Sequence, residues 1–208
     1  MKVIKEIYLV RHGSTDFNDN DLLQGKIDNK LNDKGRDEVK RLSEVLKDKD
    51  FEMIFHSPLT RAKQTAEILS EYHKNAKFVE IEEFVEIDLG DWEGHKYLEV
   101  VNQDIDFHSK WMLNPEIKIP GGESYVDVYE RAIKGVEKVL NSNFSRILIV
   151  AHAAVNRSIL AGIMKMDPHT SRYFRMKNAS FSKFLIYENK LDTYSVVESW
   201  NNYSHLEK

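Results

Sequence analysis

The sequence predicts an α/β protein: a three-layer sandwich with a mostly parallel central sheet, helices on both faces and a small cap over the carboxyl ends of the strands. Short runs of β-forming apolar residues alternate with longer segments in which apolar residues recur at helical spacing. Strands that alternate with helices are typical of parallel sheets. The length of 208 residues suits one domain. We therefore predict a single domain over residues 1–208, with a cap excursion at about 88–120.

The first half of the chain predicts three strands and two helices. Asn32 offers an N-cap for the first helix, and Pro58 suits the first turn of the second helix. A long polar loop precedes the first helix, and such loops inside compact domains are usually functional. In chain order the predicted elements are a strand at 7–10, a loop at 14–30, a helix at 33–47, a strand at 51–55, a helix at 59–73 and a strand at 78–81.

The second half predicts the cap and the remaining layers. A turn at 120–124 leads into a long helix, whose buried stripe is marked by Val128, Ala132, Val136, Val139 and Leu140. The other predicted elements are a helical excursion at 97–119, a strand at 146–151, a helix at 154–164 and strands at 181–187 and 193–197. Each helix can cross from one strand to the next, as a parallel sheet requires.

Composition excludes several classes of function. The formal charge of −4 and the absence of a basic run argue against nucleic acid and membrane surfaces as partners. The chain has no cysteine, which excludes disulfides, thiol catalysis and cysteine-ligated metals. We find no apolar stretch of membrane-spanning length and no signal-peptide core, so we expect a cytoplasmic protein.

Two predicted strands end in a histidine. The first is followed by Arg11, His12 and Gly13, and the strand at 146–151 is followed by His152. An arginine beside a histidine makes a poor metal site but a good phosphate site, because the guanidinium fork matches phosphate oxygens and a neutral imidazole is a nucleophile. If the two strands are neighbours, both histidines lie at one sheet edge.

Two further charged residues fit such a site. Arg61 lies in the first turn of a predicted helix, where the helix dipole opposes a cation unless an anion is shared; the alternative is a solvent-exposed arginine. Glu86 lies between Val85 and Ile87, and apolar surroundings favour the protonated acid, which can give its proton to a leaving oxygen. The alternative for Glu86 is a surface carboxylate.

Motifs of a known family follow one another along nearly the whole chain. They are LVRHGST at 9–15 with Asn18, Gln24-Gly25, LNDKG at 31–35, SPLTRAKQTA at 57–66, Glu86 with GDWEG at 90–94, GGES at 121–124 and VAH at 150–152. Together they resemble the histidine phosphatase superfamily, in its phosphoglycerate-mutase-like branch, and are similar to its alpha-ribazole and broad-specificity phosphatases.

The resemblance implies a role for each matching residue. His12 would attack phosphorus and carry the phosphoryl group, while Arg11, Arg61 and His152 would neutralise its charge. Glu86 would protonate the leaving alkoxide and then activate water. The residues implied in substrate or phosphate contacts are Gly13, Asn18, Gln24, Gly25, Ala153 and Asn178. Neither a metal nor another cofactor is implied.

Two positions depart from the family pattern. Ala153 stands where many relatives carry glycine, and its methyl group is expected to crowd the phosphate site. Ser14 stands where an acidic or amide residue is frequent, which is expected to alter the loop more than the chemistry. Neither departure removes a predicted catalytic group.

The favoured function is a metal-independent phosphomonoesterase that acts on a small phosphorylated metabolite through a phosphohistidine. The first alternative is a cofactor-dependent phosphoglycerate mutase, although mutases of this type look longer in the cap. A catalytically silent phosphate-binding module and a metallohydrolase rank lower, because all five predicted catalytic residues are present and no His-x-His or His-x-x-x-His pair occurs. The sequence leaves a homodimer open.

The cap residues leave the substrate undecided. Trp92, Tyr97, Phe107, Trp111 and Met112 either line a partly apolar pocket, suited to an aromatic or nucleoside-like phosphate such as ribazole phosphate, or pack the cap onto the core. The other histidines have no partner motif and are expected at the surface or the edge of the core; they are His56, His73, His95, His108, His169 and His205.

Overall fold

The computed structural model describes residues 2–190 and 192–207. The ends of the predicted domain, Met1 and Lys208, lie outside the described residues. The strands are β1 (Lys2–Arg11), β2 (Met53–His56), β3 (Lys77–Glu80), β4 (Arg146–Ala151), β5 (Phe181–Glu188) and β6 (Thr193–Asn202). The α-helices are α1 (Asp16–Asp19), α2 (Asp33–Leu46), α3 (Thr60–Ser70), α4 (Tyr97–Gln103), α5 (Ile105–Leu113), α6 (Tyr125–Leu140), α7 (Ala153–Met164) and α8 (Pro168–Ser171).

The described strands form one sheet in the order β3-β2-β4-β1-β5-β6. β1, β4, β2 and β3 are parallel, whereas β5 pairs antiparallel with both β1 and β6. The α/β prediction is confirmed, and the sheet is mixed because the short connection between β5 and β6 permits only an antiparallel pair.

Two buried clusters lie on opposite faces of the sheet. Alternate residues of β1 enter different clusters, Ile7 and Leu9 the first, Tyr8 and Val10 the second, because successive side chains of a strand point to opposite faces. Helices α6 and α7 cover the first cluster, and α2 and α3 cover the second. The predicted three layers follow from this alternation.

Most predicted boundaries agree with the structure within a few residues, and two differ for a clear reason. Helix α3 begins at Thr60, so Pro58 precedes the helix instead of lying in its first turn. The backbone N–H and the hydroxyl of Thr60 each donate to the Asp28 carboxylate at 2.7 Å, so a distant loop supplies the cap. Strand β6 continues to Asn202 because it pairs with β5 along its length.

The segment predicted as an irregular excursion contains α4 and α5. Trp92 packs edge-on against Trp111 with ring centroids 5.1 Å apart, and against Phe107 at 6.1 Å. Phe107 and Trp111 also pack against the first buried cluster, whereas Tyr97 and Met112 are exposed. Trp92, Phe107 and Trp111 therefore pack this segment onto the core.

Candidate active site

The two histidines of the strand ends lie side by side. β1 and β4 are parallel neighbours, with Arg11 opposite Ala151, so the residues that follow them emerge at the same edge. The ring centroids of His12 and His152 are 5.1 Å apart, and both side chains are buried. The two strands that end in a histidine are therefore neighbours in the sheet, as the prediction of a shared site requires.

The ring of His12 has a defined tautomer. Its Nδ1 lies 2.7 Å from the carbonyl oxygen of Gly13, and because a carbonyl can only accept, Nδ1 carries the hydrogen and Nε2 keeps a lone pair. Burial lowers the pKa of His12 well below its usual value, and the charges of Arg61 and Arg11 lower it further. The ring is therefore neutral at pH 7 and presents a nucleophilic nitrogen.

The ring of His152 is held through its other nitrogen. Nε2 lies 2.7 Å from Ser57 Oγ, which also accepts the Leu59 N–H at 3.3 Å. The Ser57 hydroxyl has one hydrogen to donate, and when Nε2 accepts it the ring hydrogen lies on Nδ1. Nδ1 is buried and has no hydrogen-bond partner among the described residues. Burial, followed by Arg61, lowers the pKa of His152 well below its usual value.

Two guanidinium groups lie beside the histidines. Arg61 is 1% exposed, which excludes the surface-arginine alternative, and it donates to the carbonyls of Ile27 and Gly25 at 2.8 and 2.7 Å. Arg11 donates to the Met176 carbonyl at 2.7 Å. Burial lowers the pKa of both groups to about 10, so both remain charged at neutral pH.

The negative charge of Glu86, in the same cleft, raises the pKa of both guanidinium groups but forms no direct ion pair with either. In the part of the chain that the structure describes, neither Arg11 nor Arg61 forms a salt bridge, and the Nε atom of each has no hydrogen-bond partner. Buried charges without a partner are costly, and an anion offsets that cost. The pair is therefore built to accept an anion.

Glu86 lies at the amino end of α7. Its carboxylate accepts the N–H groups of Ala154 and Val155, each at 3.1 Å, and that of Ile87 at 3.0 Å. The first N–H groups of a helix have no partner within the helix, so the carboxylate takes the place of a cap. Val85 and Ile87 predict apolar surroundings for this carboxylate, whereas the observed surroundings are rich in backbone N–H donors. Glu86 is 9% exposed, which excludes the surface alternative.

A half-buried ion pair between Arg131 and Glu123 fixes the loop of Glu86. Arg131 forms two hydrogen bonds of 3.0 Å with the Glu123 carboxylate and donates to the carbonyl of Glu86 at 3.0 Å. Glu123 also accepts the Asp88 N–H at 2.9 Å. At Gly122 a Cβ would approach the Asp88 carbonyl to 2.4 Å, so the turn at 121–124 requires glycine there. This turn therefore acts on the site through Glu86.

The two glycines predicted to contact substrate have structural partners. The N–H of Gly13 donates to Thr65 Oγ1 at 3.1 Å. This N–H therefore already has a partner, whereas the sequence predicted that it would contact phosphate. A Cβ at Gly13 would approach the Gly35 carbonyl to 2.6 Å, which shows that glycine permits close packing against α2. Gly25 has a φ of +50° and offers its carbonyl to Arg61.

The predicted amide contacts form one network. Asn18 Oδ1 accepts from Asn178 Nδ2 at 3.1 Å and from the Thr15 N–H at 3.2 Å. Gln24 Oε1 accepts from the Thr15 hydroxyl at 3.0 Å, and Asn178 Nδ2 also donates to the His12 carbonyl at 3.1 Å. The network joins the loop after β1 to the segment before β5.

Some of these groups line a cleft of about 270 Å³, the phosphoryl cleft. Its charged and polar lining consists of Arg11, His12, Asn18, Asp21, Gln24, Arg61 and Glu86, and its apolar lining of Leu22, Leu23, Ile87 and Leu89. His152 and Gly13 are not among its lining residues, and Asn178 lines a neighbouring cleft.

None of Trp92, Tyr97, Phe107, Trp111 and Met112 is among the lining residues of the phosphoryl cleft. Trp92, Phe107 and Trp111 belong to or pack against the first buried cluster, which favours the packing interpretation for these three, whereas Tyr97 and Met112 are exposed. Ala153 lines a neighbouring cleft instead of crowding this one.

Several residues of the site were not predicted. Ser57 and Thr65 belong to the motif at 57–66, from which only Arg61 was given a role. Asn156 donates to the Val10 carbonyl at 3.2 Å and joins α7 to β1. Three histidines expected at the surface or the core edge are buried, namely His56, His73 and His108.

Among the described residues, no group of three or more His, Asp or Glu side chains could hold a metal ion. None of the described helices combines the length and the apolar character that a membrane span needs.

Comparison with known proteins identifies relatives over the whole length. A profile of the histidine phosphatase superfamily (branch 1) matches residues 7–202. The uncharacterized phosphatase PhoE of Bacillus subtilis (strain 168) is 34% identical over 202 residues, covering 96% of both chains. The metal-independent phosphoserine phosphatase of Arabidopsis thaliana is 27% identical over 207 residues, covering 98% of this chain and 84% of that protein. The structure of a mycobacterial glucosyl-3-phosphoglycerate phosphatase with VO3 has a TM-score of 0.86 at 25% identity, covering 95% of this chain and 99% of that one.

Proposed function

The chain belongs to the histidine phosphatase superfamily (branch 1), and we propose that it is a metal-independent phosphomonoesterase that hydrolyses a small phosphorylated metabolite through a phosphohistidine. One observation carries the proposal. The lone pair of His12 Nε2 belongs to a cleft that also contains the guanidinium groups of Arg11 and Arg61, neither of which forms a direct ion pair among the described residues. A nucleophile beside an anion site is the arrangement that phosphoryl transfer needs.

The cations hold the phosphoryl group. Arg11 and Arg61 pair with its oxygens, and the Nδ1–H of His152 donates to another oxygen. Each of these groups is fixed before the substrate arrives, Arg61 by two backbone carbonyls and His152 by Ser57. Fixed donors favour the more highly charged equatorial oxygens of the transition state without reorganisation.

The first displacement forms an N–P bond and breaks the ester P–O bond. His12 Nε2 attacks phosphorus, and protonated Glu86 gives its proton to the departing alkoxide, which leaves as an alcohol. A phosphate anion beside Glu86 favours the protonated carboxyl, because two adjacent anions repel each other. The hydrogen bond from Nδ1 to the Gly13 carbonyl stabilises the charge that develops on the phosphorylated ring.

The second displacement releases phosphate. Glu86, now a carboxylate, takes a proton from water as the water oxygen attacks phosphorus, and the N–P bond breaks. Inorganic phosphate leaves, and His12 returns to its neutral form. Two successive displacements at His12 therefore hydrolyse the phosphate ester and regenerate the enzyme.

Phosphate release from a panel of metabolite esters, measured in EDTA, tests the proposal. We expect release in the wild type and none in His12→Ala, while His95→Ala, an exposed histidine, serves as the matched control. Quenching of the wild type in alkaline detergent should trap a base-stable phosphoryl group that is lost on acidification. Interconversion of 3- and 2-phosphoglycerate without release would identify a mutase instead. Activity that EDTA abolishes would overturn metal independence.

A further inference from the structure

A second cleft lies beside the phosphoryl cleft and shares Arg11 with it. This cleft, the cationic cleft, has a volume of about 700 Å³. Its lining includes the cations Arg11, Arg157, Arg175 and Lys177 and the carboxylate of Glu38. Arg11 is the charged residue that both clefts have in common. The proposed mechanism uses Arg11 only on the side of the phosphoryl cleft, beside His12.

The charges of the cationic cleft are unbalanced. Both oxygens of the Glu38 carboxylate accept hydrogen bonds of 2.9 Å from Ser14, one from the backbone N–H and one from the hydroxyl. Within residues 2–190 and 192–207, none of the four cations forms a salt bridge. The whole chain has a formal charge of −4, so this excess of positive charge is local. Cations gathered without a counterion attract an anion.

The backbone holds these cations in place. Arg157 donates from Nε to the Ala153 carbonyl at 3.1 Å and from Nη1 to the Arg172 carbonyl at 3.2 Å. Arg175 and Lys177 flank Met176, whose carbonyl accepts from Arg11. The backbone around them is anchored to β6, because the Trp200 indole donates to the Arg175 carbonyl at 2.8 Å and the Lys177 N–H donates to Asn201 Oδ1 at 2.8 Å. A fixed backbone presents both side chains to the same space.

We propose that the cationic cleft binds a second anionic group, a carboxylate or a second phosphate, on the molecule whose phosphoryl group lies at His12. This proposal rests on the proposed function and narrows its substrate class to phosphate monoesters that carry another negative charge. The shared position of Arg11 places the two anionic groups on either side of one guanidinium group. Guanidinium groups bind carboxylates and phosphates with the same pair of N–H donors, so both sources of charge fit.

The test compares matched substrates with a matched pair of variants. The double variant Arg175→Gln/Lys177→Gln removes two cations of the cleft through exposed side chains that take no part in the chemistry. The control Arg41→Gln/Lys74→Gln removes one exposed arginine and one exposed lysine elsewhere. The carboxylate pair of substrates is 3-phosphoglycerate and glycerol 3-phosphate. The phosphate pair is fructose 1,6-bisphosphate and fructose 6-phosphate. p-Nitrophenyl phosphate reports the basal reaction.

We expect the wild type to prefer the doubly anionic member of at least one pair, and that pair identifies the source of the second charge. The cleft variant should raise the KM of this substrate by about tenfold, with kcat and the rate on p-nitrophenyl phosphate within about twofold of wild type, and the control should change neither. Equal losses on both members of each pair, an equal effect of the control, or no preference in the wild type would overturn the proposal. Absence of turnover on every substrate, p-nitrophenyl phosphate included, would overturn the proposed function itself.

Discussion

His12 and His152 end neighbouring strands and lie side by side, yet their rings are oriented by partners of different kinds. His12 Nδ1 donates to the carbonyl of the very next residue, so the local backbone leaves Nε2 as an acceptor. His152 Nε2 is bound by Ser57, which lies 95 residues away in the chain, so tertiary packing leaves Nδ1 as a donor. One imidazole can attack phosphorus and the other can donate to a phosphoryl oxygen.

The difference teaches that a histidine at a strand end is defined by its hydrogen-bond partner more than by its position. Burial lowers the pKa of both rings, so both are neutral at pH 7. A neutral imidazole has one donor and one acceptor nitrogen, and the group bound to one nitrogen decides whether the other nitrogen donates or accepts. The following variants test this division of roles, from the largest expected effect to the smallest.

Removal of the nucleophile should have the largest effect. We expect His12→Ala to lower kcat by about 10⁴-fold or more, because no other group can form the N–P bond. Single-turnover phosphate release measures the residual rate. If His12→Ala still accumulated a phosphohistidine, with the phosphoryl group on His152, the assignment of the two rings would be reversed.

Removal of the second ring should cost less. We expect His152→Ala to lower kcat by about 10²- to 10³-fold, because the transition state loses one preorganised donor while the nucleophile remains. Labelling after an alkaline quench should still find the phosphoryl group on His12, formed more slowly. A loss equal to that of His12→Ala with no labelled intermediate would contradict this assignment.

Ser57 should act through His152. Ser57→Ala is expected to lower kcat by about tenfold, since the loss of one neutral hydrogen bond frees the ring and its tautomer. Ser57→Thr should restore most of the rate, and ¹⁵N chemical shifts of the His152 ring should show mixed tautomers only in Ser57→Ala. Ser43→Ala is the matched control, because Ser43 is a buried serine whose hydroxyl faces a backbone carbonyl of α3. An unchanged His152 tautomer in Ser57→Ala would show that Ser57 does not set the tautomer of the His152 ring.

Both rings should also affect stability through pH. The pKa values of both rings in the folded state lie well below the usual 6.5. Above pH 6.5 each ring is neutral in the folded and in the unfolded protein, so neither ring makes the free energy of unfolding depend on pH there. Below pH 6.5 the unfolded state takes up a proton and the folded state does not, so the free energy of unfolding falls as pH falls. The slope reaches about 1.4 kcal/mol per pH unit for each ring.

Urea unfolding of the wild type and His152→Asn between pH 5 and 7 measures that slope. The variant should lose about one ring's share of it, while the slopes should coincide above pH 6.5. His95→Asn, at an exposed position, is the control. A slope that did not change in His152→Asn would show that His152 is protonated in the folded state.

The features that the sequence predicted best depend on residues close together in the chain. The strand before His12, the strand before His152 and the three-layer arrangement follow from hydrophobic periodicity, and the family follows from motifs in order. Arg61 was predicted at the start of α3 on the dipole argument, and its burial beside His12 agrees with the anion explanation. These inferences need no knowledge of distant contacts.

The features that were missed or wrong depend on distant contacts. The N–H of Gly13 is occupied by Thr65, which lies 52 residues away, and the Glu86 carboxylate meets the start of α7, 68 residues away. Trp92 was compatible with a pocket or with packing, and only the positions of α4 and α5 decided for packing. The type of a side chain determines which hydrogen bonds and contacts it can form, whereas the fold determines which partner it meets.

The strand order has a consequence for how the protein is made. β1 is synthesised before its two neighbours, β4 and β5, which follow much later in the chain. Until both emerge, the nascent β1 has two unpaired edges, and such edges favour aggregation. A fragment that ends before Phe181 contains every proposed catalytic residue but lacks β5. We therefore expect it to be inactive, and to regain activity when a peptide of the missing β5–β6 hairpin is added in trans.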